Sequence, residues 1–153
     1  MNERILEDIS LIEQENFEDA WNVQMLKDTL SYDYNFIIVL LDETITILNN
    51  ESLPENVTYT ELNGYLIGNL VSGESELLRI AIKDKFKSKG LSNLIMNTYL
   101  KYTGDKASSY FLEVRSNNYI ARKLYEKYGY QSIATRKNYY SNPVDDAVIY
   151  LRQ

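Results

Sequence analysis

Cysteine and histidine are both missing from the 153 residues. Without cysteine there is no disulfide, no thiolate metal ligand and no cysteine nucleophile. Without histidine the usual zinc ligand is gone, and so is the side chain whose ordinary pKa suits base catalysis near neutrality. Proton transfer is therefore left to Glu, Asp, Tyr, Lys or bound water. No metal ligands cluster along the chain, so a metal-free reaction is expected. Long apolar runs are missing as well, since nothing approaches the roughly 18 residues of a membrane span. The opening MNERILEDIS is charged throughout rather than a basic segment followed by an apolar one. A soluble, cytoplasmic chain with no membrane partner is expected. An excess of positive charge is absent too: a net charge of -6 and a pI near 4.7 argue against broad nucleic acid binding and are compatible with a cationic substrate.

What is present is enough apolar material for one core. At 44% hydrophobic, the chain is long enough for one domain and too short for two ordinary ones, so residues 1–153 are expected to form a single domain. The 14 tyrosines, with abundant Asn and Ile, read as a compositional bias rather than a device. Ile5, Ile9 and Ile12 recur at helical spacing, and Val23, Leu26 and Leu30 do so again after a break holding Phe17 and Trp21. FIIVLL from Phe36 reads as a buried strand, with TITIL at 44–48 extending or pairing with it. Residues 49–63 are polar and carry a proline, which predicts an exposed excursion, either a plain surface loop or a flap over a site. YLIGNLV at 65–71 and the run from Glu76 to Ile82 predict a hairpin turning at Ser72 and Gly73.

Further on, Leu91, Leu94, Ile95, Thr98, Tyr99 and Tyr102 mark one face of a helix, and YFLEV at 110–114 is the next strand. Asn117 and Asn118 are good caps for a helix with Ala121, Leu124, Tyr125 and Tyr128 on its apolar face, and Gly129 sits where a helix end wants a left-handed residue. Two strands, around 131–139 and 147–151, finish the chain. This order predicts a mixed α/β (α+β) domain.

The segment ELLRIAIKDKFKSKGLSNLIMNTYL joins a strand, a loop with one glycine and a helix. Gly90 can adopt angles closed to other residues, so successive N–H groups can turn toward one anion, and the helix adds its positive end. The same pattern also describes an ordinary turn, with Lys83, Lys85, Lys87 and Lys89 forming a solvated surface.

Its neighbours decide between these. KSKGLS at 87–92, after a strand ending in IAI, resembles the Gln/Arg-x-x-Gly-x-Gly/Ala signature of the GNAT family of N-acetyltransferases. The stretch LEVRSNNYIARKLYEKYGYQSIATRKNYYSNPVDDAVIYL at 112–151 is similar to the C-terminal half of that family's RimI type, the ribosomal-protein-alanine N-acetyltransferases, in order over some forty positions. IEQENFEDAW at 12–21 resembles the same subfamily's first helix, with Ala20 in place of a common proline. The resemblance is poor from 44 to 63, where the chain carries an insertion. Lys87 stands where Gln or Arg is usual, and Ser92 where Gly or Ala is usual. Serine is nearly as small as alanine and its hydroxyl can donate to a phosphate oxygen, so cofactor binding is expected to persist, if weakened.

The resemblance implies the GNAT fold, a mixed, mostly antiparallel central sheet flanked by helices, and acetyl-CoA as acetyl donor. It implies that the amides of Lys87, Ser88, Lys89, Gly90, Leu91, Ser92 and Asn93 hold the pyrophosphate and that Ile80, Ala81 and Ile82 pair with the pantetheine arm. It further implies a protein or peptide N-terminus as acceptor, possibly that of a ribosomal protein. The chemistry favours such an acceptor: near pH 7 an α-amine is about a tenth neutral and a lysine only about 0.04%.

Glu113 lies between Leu112 and Val114, so its side chain points away from theirs. It is either a surface carboxylate paired with Arg115 or a lysine, or the general base that the resemblance implies. Tyr125 can be core packing, or the group implied to protonate the leaving thiolate or to hydrogen-bond to it. Asn118 is a helix cap, a cofactor contact, or both. Tyr139 and Tyr140 either border the acceptor groove or pack on a helix. The oxyanion donor is expected to be a backbone N–H near Ile82. A GNAT enzyme acting on a small amine or an internal lysine, and a CoA-binding module without catalysis, remain the alternatives.

Overall fold

The computed structural model describes residues 3–52 and 57–153. Two helices, α1 (Glu3–Asn16) and α2 (Val23–Leu30), turn Ile5, Ile9, Ile12, Leu26 and Leu30 inward. Asn22 caps α2, its Oδ1 accepting the Met25 N–H at 2.9 Å. The strand β1 (Asn35–Leu41) is buried along its whole length. Helices cover both faces of the sheet here, which is why FIIVLL shows no polar alternation. There follow β2 (Thr44–Leu48), β3 (Leu62–Val71), β4 (Glu74–Ile82), a short 3-10 turn at Asp84–Phe86, α3 (Leu91–Thr103), β5 (Ser109–Arg115), α4 (Tyr119–Lys127), β6 (Gln131–Tyr140) and β7 (Asp145–Arg152).

The strands form one sheet in the order β2-β1-β3-β4-β5-β7-β6. Every neighbouring pair is antiparallel except β4 with β5. Alternate residues of β1 feed two cores. Phe36, Ile38 and Leu40 join Ile95, Met96 and Tyr99 of α3 and Tyr125 of α4. Ile37, Val39 and Leu41 join Ile5, Leu6 and Ile9 of α1 and Leu26 and Leu30 of α2. Each such aliphatic side chain contributes about 1.5–3 kcal/mol by leaving water. No helix among the described residues is long and apolar enough to cross a membrane.

The expected α/β order and the mostly antiparallel sheet are what is found, with differences in detail. The buried face of α3 is Leu91, Ile95, Met96, Tyr99 and Thr103; Leu94 and Tyr102, expected on that face, are exposed. The contact follows the i, i+4 row, which is inclined to the helix axis, and Tyr102 lies at the rim against Phe36, ring centroids 5.0 Å apart.

The end of the expected excursion at 49–63 is not exposed: Leu62 and Asn63 already belong to β3 and Tyr59 is buried. The Tyr59 hydroxyl donates to Asp8 at 2.5 Å, Arg4 lies 4.1 Å over its ring, and Asp42 accepts the N–H groups of Thr60 and Glu61 at 2.9 Å each. This part packs on α1 rather than forming a flap. Residues 53–56 of that stretch lie outside the described residues.

Candidate active site

The one parallel pairing in the sheet is also its weakest join. β4 and β5 share only Glu74↔Ser109, Ser75↔Tyr110 and Glu76↔Phe111. Beyond that point the register of β4 on β3 slips, because Ile67 faces Arg79 while Gly68 faces Leu77, leaving Leu78 as an extra residue. A bulge of this kind bends its strand and increases the twist. Arg79–Ile82 of β4 and Leu112–Arg115 of β5 therefore diverge with no ladder between them, and two clefts open into the gap. The clefts share Asn16, Ile80, Asn118 and Ala121.

The first cleft, of about 590 Å³, runs from Ile80, Ala81 and Ile82 along the loop Lys87, Ser88, Gly90, Leu91, Ser92 and Asn93 to Asn118 and α4. Two loop residues are left-handed, Ser88 at φ +65° and Gly90 at φ +79°. Left-handed residues alternating with ordinary ones turn successive N–H groups toward a common centre. Gly90 is the cap position of α3, and no side chain caps that helix, so its first N–H groups stay available. A methyl built on Gly90 would meet nothing within 4 Å; the space in front of the loop is open to a ligand. These features fit a polyanion held by backbone N–H groups.

Of the residues expected here, Lys89 does not line the cleft; its Nζ lies 5.5 Å over the Phe86 ring. Lys87 is tethered, with Nζ 2.7 Å from Asp84 and 3.1 Å from Asn16. Asn93 uses its Oδ1 to accept from Lys127 at 2.9 Å and Tyr128 at 3.0 Å, which ties α3 to α4. Asn118 caps α4, accepting the Ala121 N–H at 3.2 Å, and reaches the walls of both clefts.

The second cleft, about 400 Å³, brings together Glu113, Tyr125, Tyr140, Arg115 and Pro143 with Phe17, Glu18, Asp19 and Leu77–Ile80. Glu113 stands on β5 with its side chain 32% exposed and 3.6 Å from Arg136. Its partner is thus on β6, not Arg115, which donates instead to the carbonyls of Ser141 and Pro143 at 3.0 and 2.8 Å. So exposed a pair is worth at most about 1 kcal/mol and can open to admit another cation. Tyr125 is buried, and that burial pushes its phenol well above the usual value; it stays protonated and can act as a hydrogen-bond donor. Tyr140 is pushed up to about 12 by burial and by the charge of Glu113. Burial and the same carboxylate also raise the carboxyl of Glu76. Of the tyrosine pair, only Tyr140 lines the cleft; Tyr139 is 51% exposed and packs edge-on against it at 5.0 Å.

Sequence reasoning missed Ile120, Lys123, Leu124 and Lys127 on the first cleft and Phe17, Asp19 and Arg79 on the second. Lys123 and Lys127 stand four apart on α4, the spacing that puts both on one face. Arg79, a lone cation in the apolar run ELLRIAI, was the clearer signal, since a charge in a buried strand needs a partner. Among the described residues there is no group of three or more acidic side chains able to hold a metal ion.

Comparison with known proteins matches this architecture. Residues 49–142 match the Acetyltransferase (GNAT) domain family. The chain belongs to the GNAT acetyltransferases and is an N-acetyltransferase. It is 32% identical, over 103 residues covering 64% of this chain and 71% of its relative, to the [ribosomal protein bS18]-alanine N-acetyltransferase of Haemophilus ducreyi. Its fold is similar to the crystal structure of the ribosomal-protein-S18-alanine N-acetyltransferase from Escherichia coli, with TM-score 0.76 and 20% identity over 99% of this chain and 89% of that one. It is also similar to Arabidopsis thaliana NAA60 in complex with acetyl-CoA, with TM-score 0.78 and 13% identity over 99% and 94%.

Proposed function

We propose that the chain, acting as one domain over residues 1–153, transfers acetyl from acetyl-CoA to the α-amine of a protein N-terminus, that of a ribosomal protein being the favoured acceptor. The observation that carries this reading is the meeting of the two clefts at the β4–β5 divergence, where Ile80, Asn118 and Ala121 face both. One cleft offers backbone N–H groups to a diphosphate, and the other offers a carboxylate and a phenol to an amine. The similarity to alanine N-acetyltransferases supports the acceptor class.

On this reading acetyl-CoA supplies an acetyl group activated as a thioester. The N–H groups of Lys87, Ser88, Gly90, Leu91, Ser92 and Asn93 would hold its diphosphate, with Lys123 and Lys127 across the cleft, and the open edge of Ile80–Ile82 would take its arm. A cationic amine displaces Arg136 from Glu113 at small cost. Glu113 would accept the first proton of the ammonium, directly or through a water; as the amine nitrogen bonds to the acyl carbon and the carbon–sulfur bond breaks, the nitrogen's second proton would pass to the departing thiolate, leaving an amide and a free thiol. Tyr125 donates its hydrogen bond to the sulfur as charge develops there. Its raised pKa makes it a weak acid, so the hydrogen bond matters more than complete transfer. Tyr140 walls the amine's approach, with Tyr139 packed behind it.

Incubating the protein with acetyl-CoA and a panel of N-terminal peptides, lysine peptides and polyamines, read by mass spectrometry, tests the assignment. Acetylation confined to α-amines is expected; equal or better use of lysine or polyamine would overturn the acceptor class.

A further inference from the structure

Residues 17–22, FEDAWN, form neither helix nor strand, and Phe17, Glu18 and Asp19 among them wall one side of the second cleft. One side chain holds them. Arg79 projects from β4 directly after the bulged Leu78, with its side chain 12% exposed. Its Nε lies 3.3 Å from Oε1 of Glu13, a residue fully buried in α1. The same carboxylate accepts the backbone N–H of Trp21 at 3.0 Å and the hydroxyl of Tyr65. On its other side Arg79 Nη2 donates to the carbonyl of Asp19 at 2.8 Å and pairs with its carboxylate at 3.0 Å. The guanidinium carbon lies 4.2 Å from the Phe17 ring centroid and 5.2 Å from that of Trp21. Three residues of the loop are thus gripped by one group rooted on the strand.

Stability alone does not call for this arrangement, because well-packed apolar residues commonly do as well as a buried ion pair. What a planar, forked cation adds is direction: it fixes several partners at once. Arg79 is also the chain neighbour of Ile80, which both clefts share.

We propose that Arg79 is a positioning residue for the acceptor, fixing the 17–22 wall against β4 so that the incoming amine meets the donor strand at a constant distance. This rests on the second cleft being the acceptor site. Two variants test it. Arg79→Lys keeps a charge facing Glu13 but lacks the fork and the plane. Glu13→Gln combined with Arg79→Met removes both charges of the buried pair together and supplies the measurement if the lysine variant does not fold. In either, the peptide KM is expected to rise roughly tenfold while kcat and the acetyl-CoA Kd stay within about twofold. Amide hydrogen exchange at residues 17–22 should accelerate. A folded variant with unchanged peptide KM, or one losing acetyl-CoA affinity in step with peptide affinity, would overturn the proposal. Wild-type protein that prefers lysine or polyamine would refute the α-amine assignment separately, and the same measurements on Arg79 would then be made with that amine.

Discussion

The two clefts are built in opposite ways. The cleft proposed for the donor is made mostly of backbone: a short contiguous loop, the free end of α3 and the unpaired edge of β4. The cleft proposed for the acceptor is made of side chains, contributed by the α1–α2 loop, β4, β5, α4, the end of β6 and the connection to β7. Backbone recognition depends on conformation and tolerates changes of residue type, so Lys87 and Ser92 can depart from the usual signature while the loop keeps its left-handed turns. Side-chain recognition depends on identity and on distant parts staying in place. Substitutions on the donor side should therefore act on affinity, and those on the acceptor side on turnover or acceptor KM.

The sharpest test of that division is Glu113→Gln, expected to lower kcat about 10²–10³-fold with the acetyl-CoA Kd unchanged, measured by steady-state kinetics beside calorimetry. Retained turnover would move the proton's exit elsewhere. Next is Tyr125→Phe, which keeps the ring against Tyr130 and Tyr150, at 5.9 and 6.3 Å. The melting temperature should hold while kcat falls roughly 10–100-fold. Gly90→Val probes the donor side. Forcing a branched residue to φ +79° costs about 1–2 kcal/mol, so acetyl-CoA Kd should rise about tenfold with kcat at saturation unchanged; a kcat effect instead would break the division. The smallest effect is expected from Lys123→Ala, roughly a two- to threefold rise in acetyl-CoA Kd that fades as salt is added.

How far the sequence revealed each side follows from the same difference. The loop at 87–92, the capping Asn118 and the outward Glu113 are local features, written in neighbouring residues, and the structure has them where spacing predicts. The divergence of β4 from β5 was not legible, because ELLRIAI reads as an unbroken strand and the bulge at Leu78 exists only relative to β3. Nor was the Glu13–Arg79 contact, which joins a helix to a strand far along the chain. The difference between Tyr139 and Tyr140 was not legible either: β6 is irregular just before them, with Asn138 at φ +53° and the register on β7 shifting between Arg136 and Tyr140, so strict alternation does not hold and the two rings touch.

Trp21 is the chain's one tryptophan, and it sits in the gripped loop with its ring near the Arg79 guanidinium. Tyr99, Tyr110, Tyr125, Tyr130 and Tyr150 are gathered instead in the core on the other face of the sheet. Excited at wavelengths that tyrosine does not absorb, the protein thus carries a single optical reporter in the loop whose first residues line the second cleft. Its emission should follow any movement of that loop as the amine substrate arrives, so that binding there can be read without a label.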